Sequence, residues 1–578
     1  MISFSGMMRK LFMVTALILL SAPYSSCWAA AVISDEAQRE LSSQTNTLYK
    51  KESKIPEKLA EKPEIVVEKK EEKKSEEEGP VFFVKQIRVE GNTVIPSRSF
   101  EPFITAFENR QTSFGHLRSF SEIITNLYRS EGYVTSRAYI PPQTVENDTI
   151  TVKIVEGKVG KIFVEGNQHF SAKSYTRYMK FGADRIFRYQ DLENSLYYLN
   201  LKPDRQAKAY LIAGVEPTSS DIILKVKDKN PFHAYYDFNN HGTKLTHYGR
   251  HSIHLNHNNL FGFDDVINTS ITIAEESAFD GGSFSYSLPV GETPLSLSLS
   301  GGYVKTRLIG SLKSAKINGE SLNFAPGFTY SFVQKPSFTF EAYIGLNYVN
   351  SISTIDSIRT SADRIRSFQI GPRLTLQDTG GRTLLNSDVH IGLPGLFGGL
   401  RGTDDNASIT NSGNCFLYYT ANLARLQRLP ASMLLILRAG GQWTADTLPS
   451  TEQYRAGGSY SVRGYPESDA GGDYGWSGST EINMPIYFLP RNCSVPYTKK
   501  AWCDALRLVG FLDAAKTYLN EKIVPTTVKD KFLLGAGFGV RLDIDDYVSM
   551  TVDLGWPIGD DSSDNNRKQV HLAMKAGF

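Results

Sequence analysis

The stretch Gly457-Gly458-Ser459-Tyr460-Ser461-Val462-Arg463-Gly464-Tyr465 sets one arginine among glycines and aromatics. A guanidinium is a rigid fork of donors. It can pair with a carboxylate through two parallel hydrogen bonds, which fixes direction as well as distance. An Arg-Gly pair alone marks an ordinary turn. This one follows a glycine pair and precedes Gly471-Gly472-Asp473 and Ser479-Thr480-Glu481-Ile482-Asn483-Met484-Pro485. Histidine is the second group that could do chemistry, since six of ten lie between His233 and His257. Metal ligands must converge in space. On a strand His251 and His257 share a face and His254 takes the other, while His241 and His247 fall in a loop. No metal site is expected, and the segment reads as a polar first hairpin. The four cysteines form no CxxC pair and no zinc spacing. Cys493 and Cys503 flank a short step containing Pro496 and are expected to form a local disulfide in an oxidising compartment, which leaves Cys415 unpaired. No Walker loop, HExxH or GxSxG occurs. The expectation is therefore no cofactor and no enzyme.

Composition sets the frame for those residues. The chain has 578 residues, a formal net charge of +2, 47 glycines and 29 tyrosines. Length allows several domains. The small net charge gives no reason to expect nucleic acid as a partner. Glycine and aromatics in short alternating runs suit tight turns and interface girdles of a membrane β-barrel; a large secreted β protein has the same composition.

Residues 1–31 read as a secretory signal. Arg9 and Lys10 are basic, Leu11 to Leu20 is an apolar core, and small residues near Ala29 offer cleavage sites. The core is too short to span a bilayer, and no later stretch is apolar for the ~18 residues a helical span needs. A protein that crosses a membrane after export must then do so as a closed barrel. Residues 32–80 hold helix character over 34–53, with Ala37, Leu41, Thr45 and Leu48 in step, then a Lys/Glu-rich linker through Pro56 and Pro63.

Residues 81–157 read as strand, helix, helix, strand, strand, and residues 158–228 repeat the order. Glu90-Gly91-Asn92 returns as Glu165-Gly166-Asn167. A repeat of that length is a domain duplication rather than a solenoid. The order, the doubled Val-Glu-Gly-Asn and Gly132-Tyr133-Val134 after the second helix resemble POTRA domains, the polypeptide-transport-associated modules.

From residue 230 to 578 the pattern changes to period two. About sixteen strands fit, at about 22 residues for each strand with its connection. Leu534, Ala536, Phe538, Val540 and Leu542 alternate with Gly535, Gly537, Gly539 and Arg541, and Met550, Val552, Leu554 and Trp556 with Ser549, Thr551, Asp553 and Gly555. The final strand ends on Phe578, which completes its apolar face as a membrane-assembly signal does. Short turns (Gln377 to Gly381, Asp545 to Tyr547) alternate with long polar loops (Ala445 to Gly475, Asp560 to Arg567), as they do in outer-membrane barrels. The fold class expected is a membrane all-β barrel of about sixteen antiparallel strands, preceded by two small α+β domains.

With the POTRA-like pair before it and the Val462-Arg463-Gly464-Tyr465 loop inside it, this barrel resembles the two-partner secretion transporters, the TpsB family of haemolysin and filamentous-adhesin secretion and activation proteins. The resemblance implies that the loop, sixth on the external side, folds back into the lumen. Its arginine would dock on the aspartate of a Phe-x-Asp-x-Gly motif, here Phe511-Leu512-Asp513-Ala514-Ala515. Alternation turns Phe511 and Asp513 inward, Ala515 departs from the usual glycine, and Tyr465 replaces the commoner phenylalanine. The resemblance further implies an outer-membrane location with POTRA domains in the periplasm and a helix within 32–80 that can plug the pore. It implies capture and export of an unfolded TpsA-type exoprotein without nucleotide. Outer-membrane lipid, the barrel-assembly machinery and periplasmic chaperones are the further partners. The alternative, from a different class, is a barrel-assembly factor that inserts other outer-membrane proteins; two POTRA repeats and a charged linker favour secretion.

Overall fold

A computed structural model describes residues 65–67 and 81–577, less 182–184, 490–493, 521–529, 545–547 and scattered single positions. The signal segment and the helix at 34–53 lie outside the described residues, as does Phe578. Within the charged linker one strand is described, β1 (Ile65–Val67).

The first α+β unit contains β2 (Val81–Val84), β3 (Gln86–Glu90), α1 (Glu101–Thr105), β4 (Arg110–Ser113), α2 (Phe114–Ser130), β5 (Arg137–Tyr139) and β6 (Thr149–Val155). Helix α2 begins at Phe114 because the Ser113 side chain accepts the His116 N–H as its N-cap. Leu117, Phe120, Ile124 and Tyr128 recur on one face and are buried. They pack on Ile150, Val152 and Ile154 of β6. Two short strands, β2 and β4, pair beside this core. The main sheet runs β3-β6-β5.

The second unit contains β7 (Lys158–Glu165), α3 (Ala172–Thr176), α4 (Tyr189–Leu201), β8 (Arg205–Ala213) and β9 (Ser219–Asp228). Its sheet order is β7-β9-β8, with β1 added beside β8. Strands β3, β6 and β5 therefore correspond to β7, β9 and β8. The repeated tripeptide has a physical cause. Gly91 and Gly166 take φ of 93° and 89°, and a Cβ on them would meet the carbonyl oxygens of Ile154 and Val226. Only glycine fits both demands. Asn92 then donates to the Ile95 carbonyl and Asn167 to the Phe170 carbonyl. A carboxylate closes each turn. Glu156 accepts the Thr93 and Val94 N–H groups and the Tyr128 hydroxyl; Asp228 accepts the Gln168, His169 and Phe170 N–H groups and the Tyr175 hydroxyl. Burial opposes the charge on Glu156, but the bonds from Thr93, Val94 and Tyr128 hold its pKa below the ordinary 4.5.

The rest of the chain closes into an antiparallel barrel of sixteen strands. These are β10 (Phe232–Asn239), β11 (Arg250–His257), β12 (Val266–Ile273), β13 (Phe279–Pro289), β14 (Leu295–Arg307), β15 (Ile317–Lys335), β16 (Phe338–Ile355), β17 (Ile358–Asp378), β18 (Gly381–Gly392), β19 (Leu417–Leu429) and β20 (Met433–Trp443). A small hairpin, β21 (Tyr454–Ala456) and β22 (Ala470–Gly472), lies in the next loop. The wall resumes with β23 (Tyr474–Pro485), β24 (Leu506–Tyr518), which the helical turn α5 (Trp502–Ala505) leads into, β25 (Lys531–Ile544), β26 (Val548–Pro557) and β27 (Gln569–Gly577). Closure is made by β10 against β27, which leaves no open edge. The period-two pattern explains the two faces: Leu512 is 52 % exposed on the outside, and Asp513 is 1 % exposed on the inside. Trp443, Trp476 and Trp556 also face outward, where amphipathic rings suit a membrane interface. Among the described residues no helix is long and apolar enough to cross a membrane.

The second α+β unit is bolted to one end of the barrel. Arg205 reaches Asp264 at 2.7 Å, and the Tyr178 hydroxyl donates to the same carboxylate at 2.8 Å. His233 and Asn258 both contact Asp204. Asp264 lies in the turn between β11 and β12, so the contact ties domain to wall.

The cysteine expectation is corrected. Cys503 is a free thiol on the helical turn α5, Cys493 lies outside the described residues, and Cys415 is the disulfide-bonded cysteine among those described. Close spacing in sequence does not set the Cα separation and Cβ directions that a disulfide requires.

Candidate functional site

The connection between β20 and β23, residues 444–473, is the sixth on the external side, and it runs down into the lumen. Its stem is the β21–β22 hairpin. Asp473 closes the stem by accepting the Leu448 and Asn520 N–H groups at 2.9 and 2.8 Å. The tip turns on glycines at positive φ: Gly457 (111°), Gly458 (91°) and Gly464 (105°). At Gly464 a side chain is excluded twice, by φ and by the backbone of Trp556 and Pro557, which a Cβ would meet at 2.8 and 3.0 Å.

Arg463 is 2 % exposed. Its Nε and Nη2 donate to the two oxygens of Asp513 at 2.8 and 3.0 Å, a bidentate pair, and its backbone N–H adds a third bond at 3.1 Å. The guanidinium also lies over the Phe511 ring, 3.7 Å from its centroid, as a cation–π contact prefers. Phe511 and Asp513 therefore both face the loop tip. Ser479 donates to Asp513 from the neighbouring strand at 2.7 Å.

Sequence reasoning missed the rest of the anchor. Arg463 Nη1 also reaches Glu481 at 2.5 Å and Asp553 at 3.4 Å. Arg541 pairs with Asp553 at 2.6 Å and with Glu481 at 3.3 Å, and Arg438 approaches Glu481 at 3.8 Å. Three guanidinium groups thus face three carboxylates. A single arginine among three acids would carry an uncompensated negative charge; Arg541 and Arg438 restore the balance that burial of the cluster requires. The signal was present as charge on the inward positions of β20, β23, β25 and β26. Only the barrel register brings those positions together.

Val462 and Tyr465, on either side of Arg463 and Gly464, are fully buried. They pack with Tyr454, Ala456, Ala470, Ala515 and Leu533. The Tyr465 hydroxyl donates to the Asp560 carbonyl at 3.0 Å and accepts the Gly559 N–H at 3.1 Å. Ala515 contributes its methyl to this cluster, and the bidentate pair two residues away closes fully. Opposite the tip the wall is thinned by glycine. A Cβ on Gly535 would meet the Arg463 carbonyl at 2.0 Å, and one on Gly555 would meet the Gly464 nitrogen at 2.6 Å. The Gly464 N–H donates to His571 of the last strand at 3.3 Å. The loop therefore touches β23 to β27, one continuous arc of the wall.

The histidine-rich first hairpin does not assemble a metal site. His254 stacks on Tyr235 inside, and His251 packs against Phe238 on the opposite face. Among the described residues no three His, Cys, Asp or Glu side chains are placed to hold a metal.

Residues 218–504 match the family described as haemolysin secretion/activation protein ShlB/FhaC/HecB, and residues 82–157 match the POTRA domain of ShlB type. The chain is 22 % identical over 502 residues to the heme/hemopexin transporter protein HuxB of Haemophilus influenzae (strain 86-028NP), covering 85 % of this chain and 86 % of that one. It is 24 % identical over 491 residues to the outer membrane transporter CdiB of Dickeya dadantii (strain 3937), covering 83 % and 84 %. Among solved structures it is similar to CdiB from Escherichia coli, with a TM-score of 0.70 at 20 % identity over 94 % of this chain and 97 % of that one. It is also similar in fold to BamA from Haemophilus ducreyi lacking POTRA domains 1–3, with a TM-score of 0.51 at 14 % identity over 86 % and 100 %.

Proposed function

This chain belongs to the haemolysin secretion/activation family, the two-partner secretion transporters of the bacterial outer membrane, and we propose that it exports a large TpsA-type exoprotein to the cell surface. The POTRA domains stand in the periplasm and the barrel spans the outer membrane. The observation that carries the reading is the inward loop: a segment from the external side is latched inside a closed barrel, against its wall, by a charge-balanced cluster. A channel for small solutes has no need of such a latch. A route for an extended polypeptide does, because the lumen must be filled at rest and cleared in use.

Client segments are taken up in the periplasm as added strands on the α+β units, through main-chain pairing at sheet edges. The extended chain then passes the lumen after the Arg463 loop rearranges. No nucleotide site enters this scheme, and no catalysis; folding of the client outside supplies direction. Val462, Arg463, Gly464 and Tyr465 are the latch, with Phe511 and Asp513 as its seat. A signal peptide at 1–31, delivery by periplasmic chaperones and insertion by the barrel-assembly machinery complete the proposal. The reading as a barrel-assembly factor gains no support, since a likeness to BamA at 14 % identity speaks to fold alone.

Gene deletion with cell fractionation tests the function. The expected result is that one large exoprotein disappears from the medium and from the cell surface and returns on complementation. An unchanged set of secreted and surface proteins would overturn it.

A further inference from the structure

The outer face of the barrel carries a groove of about 650 Å³ on strands β12 to β16. Two adjacent rows of cross-strand partners form it, and such partners share one face of the sheet. One row runs Ile271, Gly282, Tyr303, Leu322, Asn350. The other runs Phe284, Gly301, Phe324, Tyr348, Arg366. The face is the outward one: Ile271 is 66 % exposed, and Ile344 and Leu346, which alternation places with Tyr348, are exposed too. Gly282 leaves the floor open, since a Cβ there would meet only the Ser270 carbonyl oxygen, at 3.7 Å. Ile271 lies near the end of β12 that leads to an external loop, so the groove lies toward the external end of the wall. Both rows finish at one guanidinium, because Asn350 Oδ1 accepts Arg366 Nη2.

We propose that the groove and Arg366 form a site for a phosphorylated glycolipid of the outer leaflet, of lipid A type, with an acyl chain in the groove and a phosphate at the guanidinium. The proposal rests on the outer-membrane placement and not on export. Arg366 is 3 % exposed, and among the described residues no carboxylate pairs with it. Its acceptors are all neutral. Nη1 donates to the Val349 and Ile365 carbonyls at 2.8 and 2.7 Å, and Nη2 to Asn350 Oδ1 at 2.9 Å and the Phe397 carbonyl at 3.4 Å, while Nε has no partner. The guanidinium stands 3.4 Å from the centroid of the Tyr348 ring, which favours a cation without neutralising it. A buried charge without a counter-charge is costly. The edge formed by Nε and Nη2 is the fork through which Arg463 grips Asp513, and a phosphate fits the same fork. Of the four acceptors, the Phe397 carbonyl is the most distant and the one a phosphate oxygen replaces. It belongs to the connection between β18 and β19, where Phe397 is 75 % exposed beside the half-exposed Leu396; such apolar side chains suit acyl chains rather than water. Arg364, exposed on the same face, has the charge of Asp404 nearby, so Arg366 is the unbalanced cation.

Native mass spectrometry of the full-length protein in detergent, with diphosphoryl lipid A added, tests the site. The wild-type protein should retain one lipid A in preference to phosphatidylglycerol added at the same concentration. Two variants probe the two halves of the site. Arg366→Gln removes the charge, and Gly282→Leu fills the groove from a position where a side chain meets open space. Each should lower lipid A retention at least about tenfold, the scale of one lost charge-assisted bond, with heat-modifiable migration of the barrel unchanged. If Arg366→Gln does not assemble, Gly282→Leu decides alone. Equal retention of phosphatidylglycerol overturns the assignment to lipid A, and undiminished retention in either assembled variant overturns the site. A gene deletion that removes no exoprotein would sink the export reading and leave this test standing.

Discussion

Arg463 is buried with its donors spread over Asp513, Glu481 and Asp553. Removing one member of such a buried pair typically costs about 3–5 kcal/mol, because the other charge is left uncompensated. The cost falls on the docked loop, since the wall is held by its own strand ladders. We therefore expect Arg463→Ala to lower export at least tenfold while barrel abundance, read by heat-modifiable migration on gels, stays within twofold of wild type. Arg463→Lys should not restore export, because an ammonium cannot span both Asp513 oxygens as the planar fork does. Asp513→Ala should match Arg463→Ala, and the double variant should be no worse than either single one; strictly additive losses would argue against a direct pair. Asp513 was legible from the sequence because alternation along one strand turns it inward. Glu481 was not, although it stands in the quoted Ser479–Pro485 segment. Its approach to Arg463 depends on the pairing of β23 with β24, where Glu481 lies opposite Phe511, and a register is not written in a single strand.

At the scale of elements, the duplicated Glu-Gly-Asn turn was visible as a repeat, but its closure by Glu156 and Asp228 was not, since each acid lies about sixty residues from the turn it closes. Its pH dependence follows in sign. The folded pKa of Glu156 is lowered, so its contribution is complete above the ordinary value of 4.5 and is lost as pH falls through the folded value. Glu156→Gln should lower the thermal midpoint of the first α+β unit at pH 7, followed by exchange or circular dichroism, and the gap to wild type should shrink as pH is lowered past that range. A gap that persists unchanged into acid would contradict the assignment. Strand β4 escaped sequence reading for a similar reason. Arg-Gln-Thr-Ser has no apolar alternation, and pairing with β2 makes it a strand. The lumen glycines make a second test at this scale. Gly535→Val should push the loop tip out, because its side chain would meet the Arg463 carbonyl. The variant should mimic the arginine variants in export while leaving the barrel assembled.

For the whole molecule, the sixteen-strand barrel was legible because period-two alternation separates a lipid face from a lumen face residue by residue. The dock of the second α+β unit was not legible, because Asp264 reads as an ordinary turn residue until Arg205 and Tyr178 arrive from a domain far away in sequence. Asp264→Ala should loosen that dock. Spin-label distances between the second unit and the periplasmic turns of the barrel should broaden, with the barrel itself unchanged; a distribution as narrow as wild type would show that the contact is dispensable. The dock stands at one end of the lumen and the latch lies within it, so the molecule is a single conduit, closed at rest by its own loop and driven without nucleotide. Protease protection in liposomes that contain only this protein tests that claim most directly, using the exoprotein identified by gene deletion and no nucleotide. Unfolded exoprotein is expected to become protected in wild-type liposomes and to remain degraded with Arg463→Ala. Protection that appears only when a nucleotide is added, or equal protection with the two proteins, would contradict it.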